Sequence, residues 1–274
     1  MDPESGTRPP SGAADPPDHA HEYASAHGAV PGPVPGRNPD PASTVIIEAV
    51  ATHPAGPRPR TVVLLPGVSG MDTPTAAAGL ALALASVQPA DVLLADIDPA
   101  PRPTGLATRF GLCAPEPGAL LPVAPRLTYR STRPDELAGP WPERTGLLLV
   151  HTGPMPGREA LDAALTAARD AAAGTVLLLT PDTDAGARAA SAALDWLDGA
   201  GCGELARGAV VVLAGDGADA GSLTDGSSTF RCRSVHRLPA AAHLVAPGVL
   251  DPDLIPDKAL DTLLDLAREA LDDA

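Results

Sequence analysis

The sequence predicts a doubly wound α/β domain, a mostly parallel sheet with helices on both faces, preceded by a disordered proline-rich tail. Three observations lead there. Seven short runs of β-branched and leucine residues recur along the chain, near-continuously apolar rather than alternating, as strands buried on both faces require. Helix-length stretches separate several of these runs. Glycine, proline and aspartate stand directly after most of the runs, where a chain leaving a buried strand must turn.

Residues 1–42 hold few apolar side chains and many of the 33 prolines, so burial cannot repay the entropy of ordering and a disordered tail is expected. The domain takes residues 43–274. Its strands are TVIIEAV (44–50), TVVLL (61–65), DVLLA (91–95), GLLLV (146–150), TVLLLT (175–180), AVVVL (209–213) and RSVHRL (233–238). Its helices are expected over 73–87, 158–173, 184–200 and 256–273. Segment 102–145 is rich in Pro and Arg and offers one further short strand, LTYRS (127–131).

Composition narrows the function classes. A chain of 274 residues can bury one sizeable core without disulfide or metal. The start MDPESG has no basic region followed by an apolar run, and no later stretch of about 18 apolar residues could span a bilayer, so a soluble, cytoplasmic protein is expected. Cys113, Cys202 and Cys232 have no CxxC spacing and read as buried thiols. The formal charge of −15 argues against nucleic acid or an anionic membrane as partner. His19, His21 and His27 lie in the tail, where ordering them around a metal would be costly, and they read as solvated.

In doubly wound folds ligands bind beyond the carboxyl ends of the strands. The residues there are PGVSG (66–70), DIDPAP (96–101), HTGPMP (151–156), PDTD (181–184), AGDG (214–217) and PAAAHL (239–244). The first of them, between a strand and a helix, has the layout of a phosphate-binding loop. It contains no lysine, and the only lysine of the chain is Lys258, far away near the C-terminus. Asp72 or Thr73 is expected to cap the helix amides, with Pro74 fitting the first turn. A carboxylate at that place would repel a bound phosphate by about 1–4 kcal/mol per charge pair at effective dielectrics of about 80 to 20.

Taken together these strand ends resemble the ParA/MinD family of P-loop ATPases, over roughly residues 44–274. In that family the loop reads Lys-Gly-Gly-x-Gly-Lys-Thr-Thr, the second strand ends in Asp-x-Asp-Pro and the Walker B strand in Asp-Thr-x-Pro. PGVSGMDT, DIDP and HTGP stand in those places and in that order. The resemblance implies a P-loop NTPase-like fold and puts the nucleotide site at Pro66, Gly67, Ser69, Gly70, Met71, Asp72, Thr73, Asp96, Asp98, His151, Thr152 and Ala214. The departures fall on the chemistry. Met71 stands at the phosphate-binding lysine, Pro66 at the partner-reaching lysine and Asp72 at the magnesium-binding hydroxyl. His151 replaces the Walker B aspartate, and Ala214 an asparagine that serves the base. The chain thus resembles a degenerate member of actinobacterial type.

These departures imply a pseudo-ATPase, without confident catalytic residues, metal or cofactor, acting as a protein-binding or regulatory subunit in partition, division or secretion machinery. Its partner would be a protein, such as an active relative, and any self-association would be indifferent to ATP. One alternative keeps ATP or ADP with magnesium, held by the loop amides alone. Without the lysine, Asp96 and Asp98 read as turn and cap residues, and His151 as a hydrogen-bonded strand-end histidine. A further alternative is a serine hydrolase on Ser69, with Asp182 and His236 or His243 following in chain order; Met71 denies it the last glycine of the nucleophile elbow. In the last helix Ala259, Leu260, Leu263, Leu264, Leu266, Ala267 and Leu271 form an apolar stripe, and Asp257, Asp261, Asp265, Glu269 and Asp272 a wet face. That acidic face opposes membrane binding and favours packing on the domain or on a protein partner.

Overall fold

The computed structural model describes residues 58–69, 71–97, 105–139, 141–215, 231–240 and 248–272. The tail, the run TVIIEAV, His19, His21, His27, Gly70, Asp98 and His243 lie outside the described residues.

Eight strands form one sheet: β1 (Arg60–Pro66), β2 (Asp91–Asp96), β3 (Leu120–Ala124), β4 (Leu127–Ser131), β5 (Thr145–His151), β6 (Gly174–Pro181), β7 (Val210–Ala214) and β8 (Ser234–Leu238). Their order is β3-β4-β2-β5-β1-β6-β7-β8. Every described pairing is parallel except β3 with β4, which is antiparallel. The helices are α1 (Thr73–Val87), α2 (Leu106–Arg109), α3 (Arg158–Asp170), α4 (Asp184–Gly199), α5 (Gly203–Arg207) and α6 (Asp257–Leu271). The mostly parallel, doubly wound architecture expected from the sequence is the one observed.

Successive strand side chains point to opposite faces, so continuous apolar runs supply two cores. Val62, Leu64, Val92, Leu94 and Leu149 pack under α1, α2 and α6. Val63, Leu65, Leu93, Leu148 and Val150 pack under α3, α4 and α5. Most of the α6 stripe lies on α1, with Ala259, Leu263, Leu266, Ala267 and Ala270 buried, whereas Leu260, which the sequence put in the stripe, is exposed. A Cβ at Gly79 of α1 would lie 2.9 Å from a Leu263 methyl group, so the glycine sets how closely the two helices approach. The last helix therefore packs on the domain.

The structure departs from the sequence reading in a few places. LLPVA (120–124) is a strand, although Pro122 interrupts it; it lies at the sheet edge, where a missing N–H is tolerated. The four-residue α2 and the 3-10 turn at Pro134–Ala138 carry no periodicity that could announce them. Of the three thiols only Cys202 is buried; Cys232 is half-buried and Cys113 exposed, because GLCAPEP runs through an irregular surface turn. No helix among the described residues is long and apolar enough to cross a membrane.

Candidate functional site

The site is assembled where the central strands end. β1 stops at Pro66, and the chain turns out of the sheet against β6: the Gly67 amide donates to Leu179 O at 2.6 Å. A Cβ on Gly67 would meet Thr180 Cβ at 3.0 Å and Leu179 O at 3.1 Å, so glycine is what allows the loop to run that close. On the other side the Thr152 hydroxyl donates to Leu64 O at 3.1 Å, tying the end of β5 to β1. Met71 is half-buried and packs against the core beneath α1. The Thr73 amide bonds Met71 O at 2.8 Å as α1 begins, with Pro74 in its first turn.

Thr73, the first residue of α1, is fully buried. Its hydroxyl lies 2.9 Å from His151 Nε2, and His151 Nδ1 lies 2.9 Å from Asp96 Oδ1. Asp96 Oδ2 accepts from the Tyr129 hydroxyl, also at 2.9 Å. Each of the four is at most 2 % exposed. A carboxylate only accepts, so His151 Nδ1 and the Tyr129 hydroxyl donate to Asp96; Nε2 accepts from Thr73 when the ring is neutral and donates to its hydroxyl oxygen when the ring is charged. Sheet register brings the group together, since Asp96 is paired with His151 on one side and with Ser131 on the other. Tyr129 is one of the inward residues of β4, whose burial alternates along the strand.

Asp72 does not cap α1, and neither does Thr73: the helix has no side-chain cap. The sequence expected one of them to do so. Thr73 turns its hydroxyl inward to His151, and the Asp72 carboxylate turns to two partners instead. Thr75 donates to its Oδ2 at 3.0 Å, and Arg109 Nη2 stands 3.5 Å from the same oxygen. Arg109 is 1 % exposed and reaches Gly248 O through Nη1 at 3.4 Å. Thus a buried guanidinium from α2 offsets the charge of Asp72 at the mouth of the loop. Sequence reasoning missed it, because nothing in LATR marks an arginine that will be buried.

The remaining site positions are spread along the same edge. Ala214 is half-buried at the end of β7, its carbonyl accepting from Asp182 N at 3.0 Å. Asp182 pairs with Arg237 Nε at 3.1 Å, and His236 lies 3.4 Å from Glu269. Among the described residues no hydrogen bond or ion pair joins Ser69 to Asp182 or His236.

No family model and no curated protein matches the chain. Solved structures do. The MinD of a MinC:MinD cell division complex from Aquifex aeolicus superposes with a TM-score of 0.58 at 18 % identity, over 78 % of this chain and 96 % of that one. A complex of Cyanothece McdA with ATP gives 0.55 at 16 %, over 79 % and 97 %. A ParA family ATPase from Chlorobium tepidum gives 0.54 at 14 %, over 76 % and 98 %. At these identities the likeness establishes the fold: the domain is built as the ParA, MinD and McdA ATPases are.

Proposed function

We propose that this chain is a ParA/MinD-like pseudo-ATPase that does not hydrolyse nucleotide and works by binding another protein. The observation that carries the reading is the closed relay of Thr73, His151, Asp96 and Tyr129. His151 and Asp96 stand at strand ends where the resemblance places the groups that hold metal and water, and here their polar atoms are turned on one another in a buried chain. Opening them toward a magnesium ion would break hydrogen bonds in a medium of low dielectric, at about 1–3 kcal/mol for each group left unpaired. The loop adds to this. Met71 contributes no charge, and Asp72 directs its own toward Arg109 and Thr75.

The partner is then a protein. A MinD of the same fold is seen in complex with MinC, and by that analogy this chain serves partition, division or secretion machinery in the cytoplasm. Pro66 stands where a lysine would reach a partner's phosphates, so self-association is indifferent to ATP.

A second reading has two observations in its favour. The first amides of α1 have no side-chain cap, and Arg109 offsets the charge of Asp72, so ATP or ADP with magnesium could still be held by backbone amides. Thermal unfolding with ATP, ADP and GTP in magnesium buffer separates the two. A ligand at a hundred times its dissociation constant stabilises by about 2.7 kcal/mol, roughly 5–11 °C for a domain of this size. The pseudo-ATPase reading expects no shift, and a reproducible shift with any of the three supports the alternative.

A further inference from the structure

The mouth of the loop is tied to the segment that leads into α6. Arg109, the last residue of α2, is 1 % exposed, and its guanidinium reaches in two directions. Nη2 stands 3.5 Å from Asp72 Oδ2, and Nη1 donates to Gly248 O at 3.4 Å. The backbone repeats the tie, since the Leu250 amide donates to Arg109 O at 2.8 Å. Val249 lies against the turn after α2, where a Cβ on Gly111 would stand 3.4 Å from its Cγ2, and Leu250 is buried in the core that α1, α2 and α6 cover. Gly248 has a φ of +112°, a backbone that residues with a side chain rarely adopt, so glycine is what permits the turn there.

Arginine suits this place because its planar fork donates in two directions at once, which an ammonium on a flexible stem does not hold. A guanidinium taken out of water needs a carboxylate beside it, and the loop supplies one in Asp72. Thr75 steadies that carboxylate, donating to the same oxygen at 3.0 Å. Asp72 is itself 39 % exposed, so the pair adds little to overall stability. Its consequence is positional. Asp72 precedes α1, residues 248–250 precede α6, and α6 lies on α1. Arg109 therefore pins together the entries of two helices that pack on one another, and the charge that aims it comes from the loop.

We propose that Asp72 is a built-in anion that latches the loop, through Arg109, to residues 248–250, so that the entries of α1 and α6 are held as one unit with no ligand bound. The latch deepens the pseudo-ATPase reading above and rests on it for that last condition: the loop carries its own anion where a nucleotide would bring phosphate. A change at either end is felt at the other.

Amide hydrogen exchange resolved to single residues, measured on the full-length chain, tests the latch. Asp72→Asn keeps the shape and removes the charge. It should speed exchange of the Leu250 amide roughly two- to five-fold, while the Val63 amide, in the middle of β1, keeps its rate. Asp72→Glu, which keeps the charge, should stay nearer the wild type. Gly248→Ala strains the far end and should in turn speed exchange of the Thr73 amide, which donates to Met71 O. An unchanged rate at Leu250 in Asp72→Asn overturns the latch, and so does a rise of equal size at Leu250 and Val63, which would report global destabilisation alone. A Gly248→Ala effect confined to the residues around 248 overturns it as well. Repeating the wild-type measurement with ADP and magnesium keeps the two readings apart. Slower exchange across the loop on adding ADP removes the pseudo-ATPase reading and the ligand-free condition with it, whereas an Asp72→Asn effect at Leu250 still establishes the tie between loop and segment.

Discussion

If Thr73, His151, Asp96 and Tyr129 act as one unit, changes at its two ends should not add. Tyr129→Phe keeps the buried ring and removes only the hydroxyl that donates to Asp96 Oδ2 at 2.9 Å. A hydrogen bond to a charged acceptor contributes about 1.5–3 kcal/mol, which for a domain of this size is roughly 3–12 °C in Tm. Thr73→Val removes the hydroxyl facing His151 Nε2 at nearly constant shape and should cost about 1–3 kcal/mol, since it leaves a buried ring nitrogen without its partner. The two side chains do not touch; they communicate through His151 and Asp96. Urea denaturation of the wild type, both single variants and the double variant gives the coupling directly. The relay predicts a double variant that departs from the sum of the singles by about 0.5–3 kcal/mol with unchanged m-value. Additivity within about 0.3–0.5 kcal/mol would refute the idea that the four residues are one network.

Other outcomes rest on the same contacts. Arg109→Ala should destabilise by about 3–5 kcal/mol, since it empties a fully buried position and strips Gly248 O of a donor, whereas Asp72→Asn at its 39 % exposed partner should cost under about 1 kcal/mol; urea titrations that ranked the two the other way would mean Arg109 is not held as described. Alkylation with iodoacetamide at pH 8 should take exposed Cys113 first. Burial raises the pKa of the Cys232 thiol, so less of it is thiolate at that pH, and peptide mapping should show it reacting more slowly. The double change Met71→Lys with Asp72→Thr should create ADP binding, detected calorimetrically, because it adds a cation to the loop and removes a carboxylate; ATP hydrolysis should remain absent while His151 stands in place of a carboxylate.

The sheet was legible because a strand buried on both faces is apolar along most of its length: TVVLL, GLLLV and TVLLLT declare themselves. Edge strand β3 did not, since its proline is a local signal against a strand and its tolerance depends on a place in the sheet that composition does not encode. Thr73, Asp96 and His151, which the sequence puts at strand ends, gather at one edge of the sheet. What those residues do there was not legible. Asp96 read as a turn residue, yet its carboxylate is buried between His151 and Tyr129, and the partners stand 55 and 33 positions away. Arg109 and Trp196 were invisible for opposite reasons. Sequence pattern expects an arginine outside and a helical tryptophan inside, and only tertiary packing reversed both.

Calorimetric titration of the unmodified full-length chain with ATP and with ADP, in magnesium buffer, tests the central claim most directly. The account predicts no heat of binding beyond dilution for either nucleotide, because the relay keeps its polar groups for itself and the loop has no free cation of its own. Saturable, magnesium-dependent binding of either one would contradict it.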